Sequence, residues 1–406
     1  MDFQINENLL MKKIQEILTL RYDSNTISSL KNRDWTNFLP KTTPDSEILK
    51  NLLKNSIQTR LNKQSNLAVA LSGGVDSTLL LSLTKEFFSD VSITAITITF
   101  PNSDDESTSA ANIANHFDID HKIIHVENFL KELPAAISIL KEPYYDVMNW
   151  YYLVKSTPSV SNSLLTGDGA DEIFGGYTFR YSKFLEEIDA NSSSDEKIKR
   201  YLDCHERDWV PDQDNLFNQK LQFSWKKIFD VLRPFFENKL SVLDQLFLAD
   251  FNGKLMHNFV PNYKKFYDFF DVTPVSPFLD DNVIEYGLHL SHDEKYDSIN
   301  NFGKLPLRNM LSKDISSLLF TKLKQGFVVN ASTLWDTSGR EICKQYLFDA
   351  KIVKDGWISQ QWIENNFDKA DIDKDVRYIN KFFSILGFEI WHRLFISHDM
   401  KSNEVL

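Results

Sequence analysis

Cysteine is scarce in this chain of 406 residues, which contains only Cys204 and Cys343. Two cysteines are too few for a disulfide scaffold or for a cysteine-rich metal site. The nine histidines show no metal-ligand spacing either, and we assign no chemistry to His116, His121 or His125. The chemistry of the protein is therefore expected from other residue types.

Long apolar runs and an excess of positive charge are also missing. No apolar stretch approaches the ~18 residues that a membrane-spanning helix needs, and the first residues lack the basic and apolar regions of a signal peptide. We therefore expect a soluble, cytoplasmic protein that does not bind membranes. The formal net charge of −12 argues against nucleic acid as a partner, because binding phosphate needs a basic surface.

Residues 67–80 have the pattern of a strand, a glycine-rich turn and a helix. Residues 67–71 are small or apolar and have the length of a buried parallel strand. The turn reads Ser-Gly-Gly-Val-Asp-Ser over 72–77, and apolar residues then recur at helical spacing from Leu79 to Phe87. A helix is thus predicted to begin inside the turn.

This turn is suited to binding an anion. Gly73 and Gly74 have no Cβ atoms that would keep an anion from the backbone, and the N-terminus of the following helix attracts negative charge. Ser72 and Ser77 add hydroxyl donors, and Asp76 adds a carboxylate suited to Mg²⁺. Together these groups predict a nucleotide site. The turn matches neither the usual P-loop nor the dinucleotide fingerprint. The alternative to a nucleotide site is an ordinary Gly-Gly turn without a ligand.

Strands and helices alternate along the first 180 residues. We predict strands over 67–71, 91–100, 122–126 and 163–166, with helices over 9–20, 46–61, 79–87, 110–117 and 129–140. This alternation predicts an α/β fold with a mostly parallel sheet, in which ligands bind at the carboxyl ends of the strands.

From about residue 180 onward the sequence has helical spacing without strand signatures. Within this half, Asp189–Lys199 is polar and is predicted to be a surface loop. We divide the chain into a short helical segment with linker (1–60), an ATP-binding α/β core (61–190) and a helical part that completes the active site (191–406).

A second glycine-rich turn, which is acidic, follows the fourth predicted strand. Asp168, Asp171 and Glu172 crowd together between Gly167 and Phe174, on the sheet edge where the first turn is expected. Two carboxylates that converge from separate loops can hold Mg²⁺ while the metal neutralises phosphate groups. The alternative is a solvated acidic turn.

The two turns resemble the ATP-binding motifs of the asparagine synthetase family, in particular the synthetase domain of the glutamine-dependent enzymes. These belong to the ATP pyrophosphatases, or PP-loop proteins, and the resemblance runs from about Ser46 to Phe395. β-Lactam synthetases and lasso-peptide cyclases share the fold. Further segments match in the family's order: 142–146 (EPYYD), 277–280 (PFLD), Lys304 with Arg308, 324–327 (KQGF) and 388–393 (FEIWHR).

The resemblance implies a synthetase that uses ATP and Mg²⁺. A substrate carboxylate attacks the α-phosphorus of ATP, which gives an acyl-adenylate and pyrophosphate, and an amine then displaces AMP to form an amide. The resemblance assigns Mg²⁺ to Asp76 and Asp171. The positions that it implies for the nucleotide are Leu71, Ser72, Gly73, Gly74, Asp76, Ser77, Ile98, Gly167 and Lys304.

Three further positions are implied to be catalytic. Asp168 matches the acidic position beside the acyl centre, where it accepts a proton from the incoming amine. Lys324 matches the lysine that neutralises charge on pyrophosphate and on the transition state, although most lysines are simply solvated. Glu142 either lines the substrate pocket or merely ends a helix before Pro143.

Two features depart from the family pattern. No cysteine precedes Cys204 and residues 1–66 are too short for the family's glutaminase domain, so we expect ammonia or an amine, supplied freely or by a separate glutaminase. Thr273 and Val275 stand where the family usually has Glu and Arg, and 148–152 is aromatic. If these residues face the site, the substrate is a small-molecule or peptide carboxylate other than plain aspartate. Otherwise they belong to the hydrophobic core.

Three functions stay open on the sequence. They are an amide synthetase with two substrates, an intramolecular cyclase of the β-lactam synthetase or lasso-peptide type, and a non-catalytic nucleotide-binding subunit. The last is disfavoured because a binding module has no need of the full set of Ser72, Asp76, Asp168, Asp171 and Lys324. Oligomeric state and pathway leave no signal in the sequence.

Overall fold

A five-stranded parallel sheet forms the centre of the computed structural model, which describes residues 7–61, 64–101, 104–205, 209–319 and 330–406. The strand order is β3-β2-β1-β4-β5. Because β1 and β4 are neighbours, the loops that follow them lie side by side at one edge. The strands are β1 (Asn66–Ala70), β2 (Ser92–Thr99), β3 (Asp120–His125), β4 (Ser163–Leu165) and β5 (Thr273–Val275).

Each face of the sheet has its own hydrophobic core. Side chains alternate between the faces along a strand, so Ala68 and Leu164 belong to one buried cluster and Val69 and Leu165 to the other. Helices cover both faces, as parallel sheets require. The predicted α/β class with a parallel sheet is confirmed.

The described helices of the first half lie before, between and after strands β1 to β4 in the chain. Their bounds are α1 (Glu7–Leu20), α2 (Ser46–Leu61), α3 (Val75–Phe87), α4 (Asp104–His116), α5 (Leu133–Leu140), α6 (Met148–Ser156), α7 (Ala170–Phe174), α8 (Thr178–Leu185) and α9 (Ser194–Cys204). None of the helices in the described ranges is long and apolar enough to cross a membrane.

The second half is mostly helical, as predicted. It contains α10 (Gln213–Leu216), α11 (Trp225–Phe236), α12 (Val242–Asp250), α13 (Val260–Phe270), α14 (Asp281–Leu288), α15 (His292–Lys295), α16 (Leu305–Arg308), α17 (Lys313–Leu318), α18 (Ala331–Leu334), α19 (Arg340–Leu347), α20 (Lys351–Lys354), α21 (Gln360–Asp371) and α22 (Val376–Phe395). π-Helical turns over Phe251–Phe259 join α12 to α13 without a break, and a two-stranded ribbon is formed by β6 (Tyr296–Asp297) and β7 (Phe302–Gly303).

The edge strand β5 comes from the half of the chain in which we predicted only helices. Its three residues include Pro274, which pairs with Leu164 and is tolerated because β5 is an edge strand. The N–H of Thr166 donates to the carbonyl of Val275 at 2.9 Å, so β5 fixes the residues that follow β4. The sheet therefore includes residues from both sides of position 190, and the proposed domain division stays a prediction.

The polar stretch Asp189–Lys199 is only partly a loop. Ser193 and Glu196 form a capping box, in which each side chain accepts a hydrogen bond from the other's backbone N–H. Helix α9 therefore begins at Ser194, and the prediction of a loop was wrong from that residue on.

A buried carboxylate on α22 connects that helix to α20. Glu389 has no exposed surface, and its two oxygens accept hydrogen bonds from the N–H groups of Lys351 and Ile352, both at 3.0 Å. Arg393 Nε lies 2.6 Å from Glu389 Oε1. Glu389 thus caps the N-terminus of α20.

Replacing Glu389 by alanine should destabilise the protein. The change leaves two N–H groups without their acceptor and Arg393 without its partner, which we expect to lower the free energy of unfolding by about 3 kcal/mol. Urea titration measures the change. In the control Glu341→Ala, an exposed residue paired with Arg340, the loss should stay below about 0.5 kcal/mol; equal losses in the two variants would contradict the capping role.

Candidate active site

The loop after β1 joins the central strand to α3. Gly73 has φ +73°, and a Cβ atom there would lie 2.7 Å from the Cβ of Ser109, so both the backbone and the space require glycine. Gly74 is the N-cap residue of α3 and has no side chain with which to cap it. An uncapped helix N-terminus is the arrangement that binds phosphates in many proteins.

The side chains predicted to cradle pyrophosphate lie together in this loop. The hydroxyl oxygens of Ser72 and Ser77 are 3.4 Å apart. The carbonyl of Leu71 accepts a hydrogen bond from the Thr97 hydroxyl at 2.7 Å, and Ile98 is buried in β2. The AMP contacts of Leu71 and Ile98 stay predictions.

The loop after β4 packs directly against the first loop. A Cβ atom on Gly167 would lie 2.8 Å from the Cβ of Asp76, and one on Gly176 would lie 1.7 Å from Asp171 Oδ1. These glycines permit an approach that any other residue would block. The two carboxylates predicted to hold Mg²⁺ are thereby brought to the same place.

Lys304 lies between these two carboxylates. Its Nζ is 2.5 Å from Asp76 Oδ2 and 2.6 Å from Asp171 Oδ1, and only 6% of its side chain is exposed. The backbone of Lys304 is left-handed, with φ +59°, and its N–H donates to the carbonyl of Phe174 at 3.1 Å. Three loops therefore meet at one buried ammonium group.

Asp76 and Asp171 fit the predicted Mg²⁺. Their oxygens converge on one point, where the Lys304 ammonium neutralises their negative charge. The part of the chain that the structure describes has no group of three or more His, Cys, Asp or Glu side chains that could hold a metal. A Mg²⁺ ion here would take its other ligands from nucleotide phosphates and water, as is usual for this ion.

Asp168 lies beside this cluster on the same loop. The Thr166 hydroxyl donates to Asp168 Oδ2 at 2.8 Å and lies 2.8 Å from the Ser276 hydroxyl. Burial raises the pKa of Asp168 to about 7, while hydrogen bonds from Thr166 and Ser276 lower it. The side chain is still partly exposed.

A buried chain of polar contacts supports the loop that carries Asp171. Burial and the charge of Asp171 raise the pKa of Glu172 to about 8, and the Tyr177 hydroxyl donates to Glu172 at 2.6 Å. The Tyr177 ring lies 4.1 Å from the guanidinium carbon of Arg180. Arg180 binds both oxygens of Asp250, at 2.9 and 2.8 Å. The loop is thus anchored to α8 and α12.

Of the other two predicted catalytic residues, Glu142 is paired away from this cluster and Lys324 is not described. Glu142 Oε1 lies 2.9 Å from Lys13 Nζ of α1, so its partner belongs to neither glycine loop. Lys324 lies outside the described residues, as do its neighbours in the segment 320–329. The catalytic roles of both residues stay predictions.

Three residues that act on Asp168 or on its neighbour Thr166 carry no prediction from the sequence. They are Ser276, which follows β5, and two tyrosines on α13, Tyr263 and Tyr267. For the tyrosines a signal existed, because Phe259, Tyr263 and Tyr267 recur at intervals of four residues and so share one helix face. For Ser276 no signal existed, since β5 itself was not predicted.

The parallel sheet, the two glycine loops and the acidic cluster have the arrangement expected of the PP-loop class. The sequence model of the asparagine synthase family matches residues 49–393, which is most of the chain. The protein therefore belongs to the asparagine synthase family.

Curated relatives agree with this assignment. The glutamine-hydrolysing asparagine synthetase 1 of Bacillus subtilis is 24% identical over 400 residues, which cover 88% of this chain and 61% of the relative. Asparagine synthetase B of Escherichia coli is 26% identical over 205 residues, or 44% of this chain and 35% of the relative. The NH3-dependent NAD+ synthetase of Malacoplasma penetrans is 31% identical over 130 residues, or 30% and 50% of the two chains. The chain thus spans less than two thirds of the length of each relative.

We expect Lys304 to oppose metal binding when no nucleotide is present. Lys304→Met keeps an unbranched side chain one heavy atom shorter but removes the ammonium, and a divalent cation then relieves the repulsion between Asp76 and Asp171. The affinity for Mn²⁺ without nucleotide, measured by electron paramagnetic resonance, should rise about tenfold or more. Lys264→Met, which removes an exposed lysine paired with Asp268, should leave it unchanged. If Lys304→Met also left it unchanged, Lys304 would not control access to this point.

Proposed function

We propose that this protein is an ATP-dependent amide synthetase that releases pyrophosphate and then AMP. The observation that carries the proposal is the convergence of Asp76, Asp171 and Lys304 at the carboxyl edge of a parallel sheet. Two carboxylates and an ammonium beside an uncapped helix N-terminus are suited to binding a nucleoside triphosphate with its metal. Membership of the asparagine synthase family supports the same reaction class.

The first step activates a carboxylate. An oxygen of the substrate carboxylate attacks the α-phosphorus of ATP, the bond from that phosphorus to the pyrophosphate oxygen breaks, and an acyl-adenylate remains. Ser72, Ser77 and the N-terminus of α3 bind the departing pyrophosphate, and Lys304 and Lys324 offset its charge. Held by Asp76 and Asp171, Mg²⁺ would neutralise the β- and γ-phosphates.

The second step forms the amide. The nitrogen of ammonia or an amine attacks the acyl carbon, and the bond from that carbon to the AMP oxygen breaks. Asp168 takes the proton that the nitrogen loses, since its raised pKa of about 7 makes it a base suited to neutral pH. The nitrogen is supplied as free ammonia, as an amine or by a separate glutaminase.

Pyrophosphate release tests the first step. We expect release from ATP and Mg²⁺ in the presence of ammonium to depend on an added carboxylate, with aspartate as the first acid to try. Asp76→Asn and Asp171→Asn should each lower the rate about 100-fold or more, because they remove charge that holds the metal and the phosphates. Asp268→Asn, at an exposed position, is the control. Full rates in both site variants would rule out this use of the site.

The pH dependence of amide formation tests the role of Asp168. As a base it must be ionised, so the rate should fall as the pH drops below about 7. Thr166→Val removes a hydrogen bond that lowers the pKa of Asp168, and the acid limb should therefore move to higher pH in single-turnover measurements. Thr337→Val, whose hydroxyl donates to the Thr333 carbonyl, should leave the limb in place. An unmoved limb in Thr166→Val would assign the titration to another group.

A further inference from the structure

Lys304 is held in an unusual backbone conformation. Its φ of +59° lies in the left-handed region, which a residue with a Cβ atom rarely adopts and which persists only where the surroundings fix it. The backbone dihedrals set the direction in which the side chain leaves the chain, so they also set where the ammonium lies, 2.5 Å from Asp76 and 2.6 Å from Asp171. Whatever fixes the backbone at residue 304 therefore also fixes the position of the ammonium.

The ribbon of β6 and β7, which precedes Lys304, lies against the loop that carries Asp171. Gly303 ends β7, and a Cβ atom there would lie 2.1 Å from the carbonyl oxygen of Gly175. The N–H of Lys304 donates to the carbonyl of Phe174 at 3.1 Å. The ribbon and the Asp171 loop are therefore in direct backbone contact next to Lys304.

Arg308 contacts the two residues that precede Lys304. Its Nε donates to the carbonyl of Gly303 at 2.9 Å, and its guanidinium carbon lies 4.1 Å from the centre of the Phe302 ring. The backbone N–H of Arg308 also donates to the carbonyl of Lys304 at 3.0 Å, in the single turn of α16. One arginine thus connects the backbone on both sides of residue 304.

A guanidinium is suited to this position. It is planar with donors in fixed directions, so it can stack on a ring and donate to a carbonyl at the same time, whereas the compact ammonium of a lysine cannot do both. Burial lowers the pKa of Arg308 and the charge of Asp76 raises it. Arg308 could therefore act on Asp76 directly through its charge, and an experiment has to separate this action from one through Lys304.

We propose that Arg308 is the positioning residue of Lys304. By holding the Phe302 ring and the Gly303 carbonyl, its guanidinium keeps the backbone at residue 304 left-handed and the ammonium between the two carboxylates. Lys304 is the group that acts on the nucleotide, and Arg308 acts through it. This inference rests on the proposed function, in which Lys304 offsets the charge of the departing pyrophosphate.

Mn²⁺ binding without nucleotide tests the inference independently of turnover. Arg308→Lys keeps the positive charge but loses the planar group that stacks and donates, so the Lys304 ammonium should be held less firmly between the carboxylates. The affinity for Mn²⁺, measured by electron paramagnetic resonance, should therefore rise about threefold or more. An unchanged affinity would overturn the inference, since the charge at residue 308 would then be sufficient.

The double variant of Arg308→Lys with Lys304→Met separates an action through Lys304 from any other. Once the ammonium is absent, replacing Arg308 should have no further effect, so the double variant should bind Mn²⁺ as Lys304→Met does, within about twofold. If the effects of the two single variants instead multiply, Arg308 acts on the carboxylates by another route and the inference is wrong.

Phe302→Leu gives a second measurement at a position that is 48% exposed, where the change does not reach the hydrophobic core. Without the ring on which its guanidinium stacks, Arg308 should hold Lys304 less firmly, and the affinity for Mn²⁺ should rise as it does in Arg308→Lys. A rise in neither variant would rule out the positioning role.

The matched control for the arginine is Arg377→Lys on α22. The Arg377 guanidinium also lies beside a ring, 5.1 Å from the centre of Trp209, and it also donates to a backbone carbonyl, that of Asp203 at 3.4 Å. This variant should leave the affinity for Mn²⁺ unchanged. A rise equal to that in Arg308→Lys would assign the effect to a general loosening of the fold and would contradict the inference.

Pyrophosphate release measures the same coupling during turnover. We expect Arg308→Lys to lower kcat about tenfold, Lys304→Met to lower it further, and the double variant to match Lys304→Met. Multiplied effects would mean that Arg308 acts on the nucleotide itself, which would overturn its assignment as a positioning residue. If the unaltered protein released no pyrophosphate with any acid, the proposed function would be wrong, whereas the Mn²⁺ affinities would still decide the inference.

Discussion

The ion pairs of Lys304 with Asp76 and Asp171 are the interaction on which the candidate site depends. Two carboxylates brought together in a largely buried place repel strongly unless a cation neutralises them. The buried ammonium removes that repulsion and connects the loops after β1 and β4 with the segment before α16. Glycine at 167 and 176 is what allows the approach, since a Cβ atom at either position would overlap the carboxylate residues.

The sheet explains why these groups meet at all. A parallel sheet directs the carboxyl ends of its strands to one edge, and the order β3-β2-β1-β4-β5 makes β1 and β4 neighbours. With a hydrophobic core on each face, the strands can shift little, so the two loops are held in a fixed relation. The positions of the functional groups at this edge thus depend on packing in the interior of the protein.

Much of this arrangement was predictable, and the part that was not has physical causes. The strand at 67–71 and the glycine turns were evident because composition and spacing at those places are local signals. Strand β5 was missed because three residues with a central proline carry no strand pattern; its pairing with β4 is a long-range contact. The place of Lys304 between two carboxylates is also a long-range contact, because it depends on loops that are distant in sequence. The stacking of Trp150 on Tyr263 is long-range as well. Ser193 shows the opposite error, since the polar stretch around it predicts a loop although it contains a capping box.

The π-helical turns over Phe251–Phe259 have a consequence for how this protein family can change. Each residue inserted into or deleted from a helix rotates everything after it by about 100°. In this chain Asp250 on α12 is tied to Arg180, whereas Tyr263 and Tyr267 on α13 face the Asp168 loop, and the π-helical turns set the angle between the two. A single insertion or deletion there would rotate Tyr263 and Tyr267 away from the Asp168 loop while leaving both glycine loops in place.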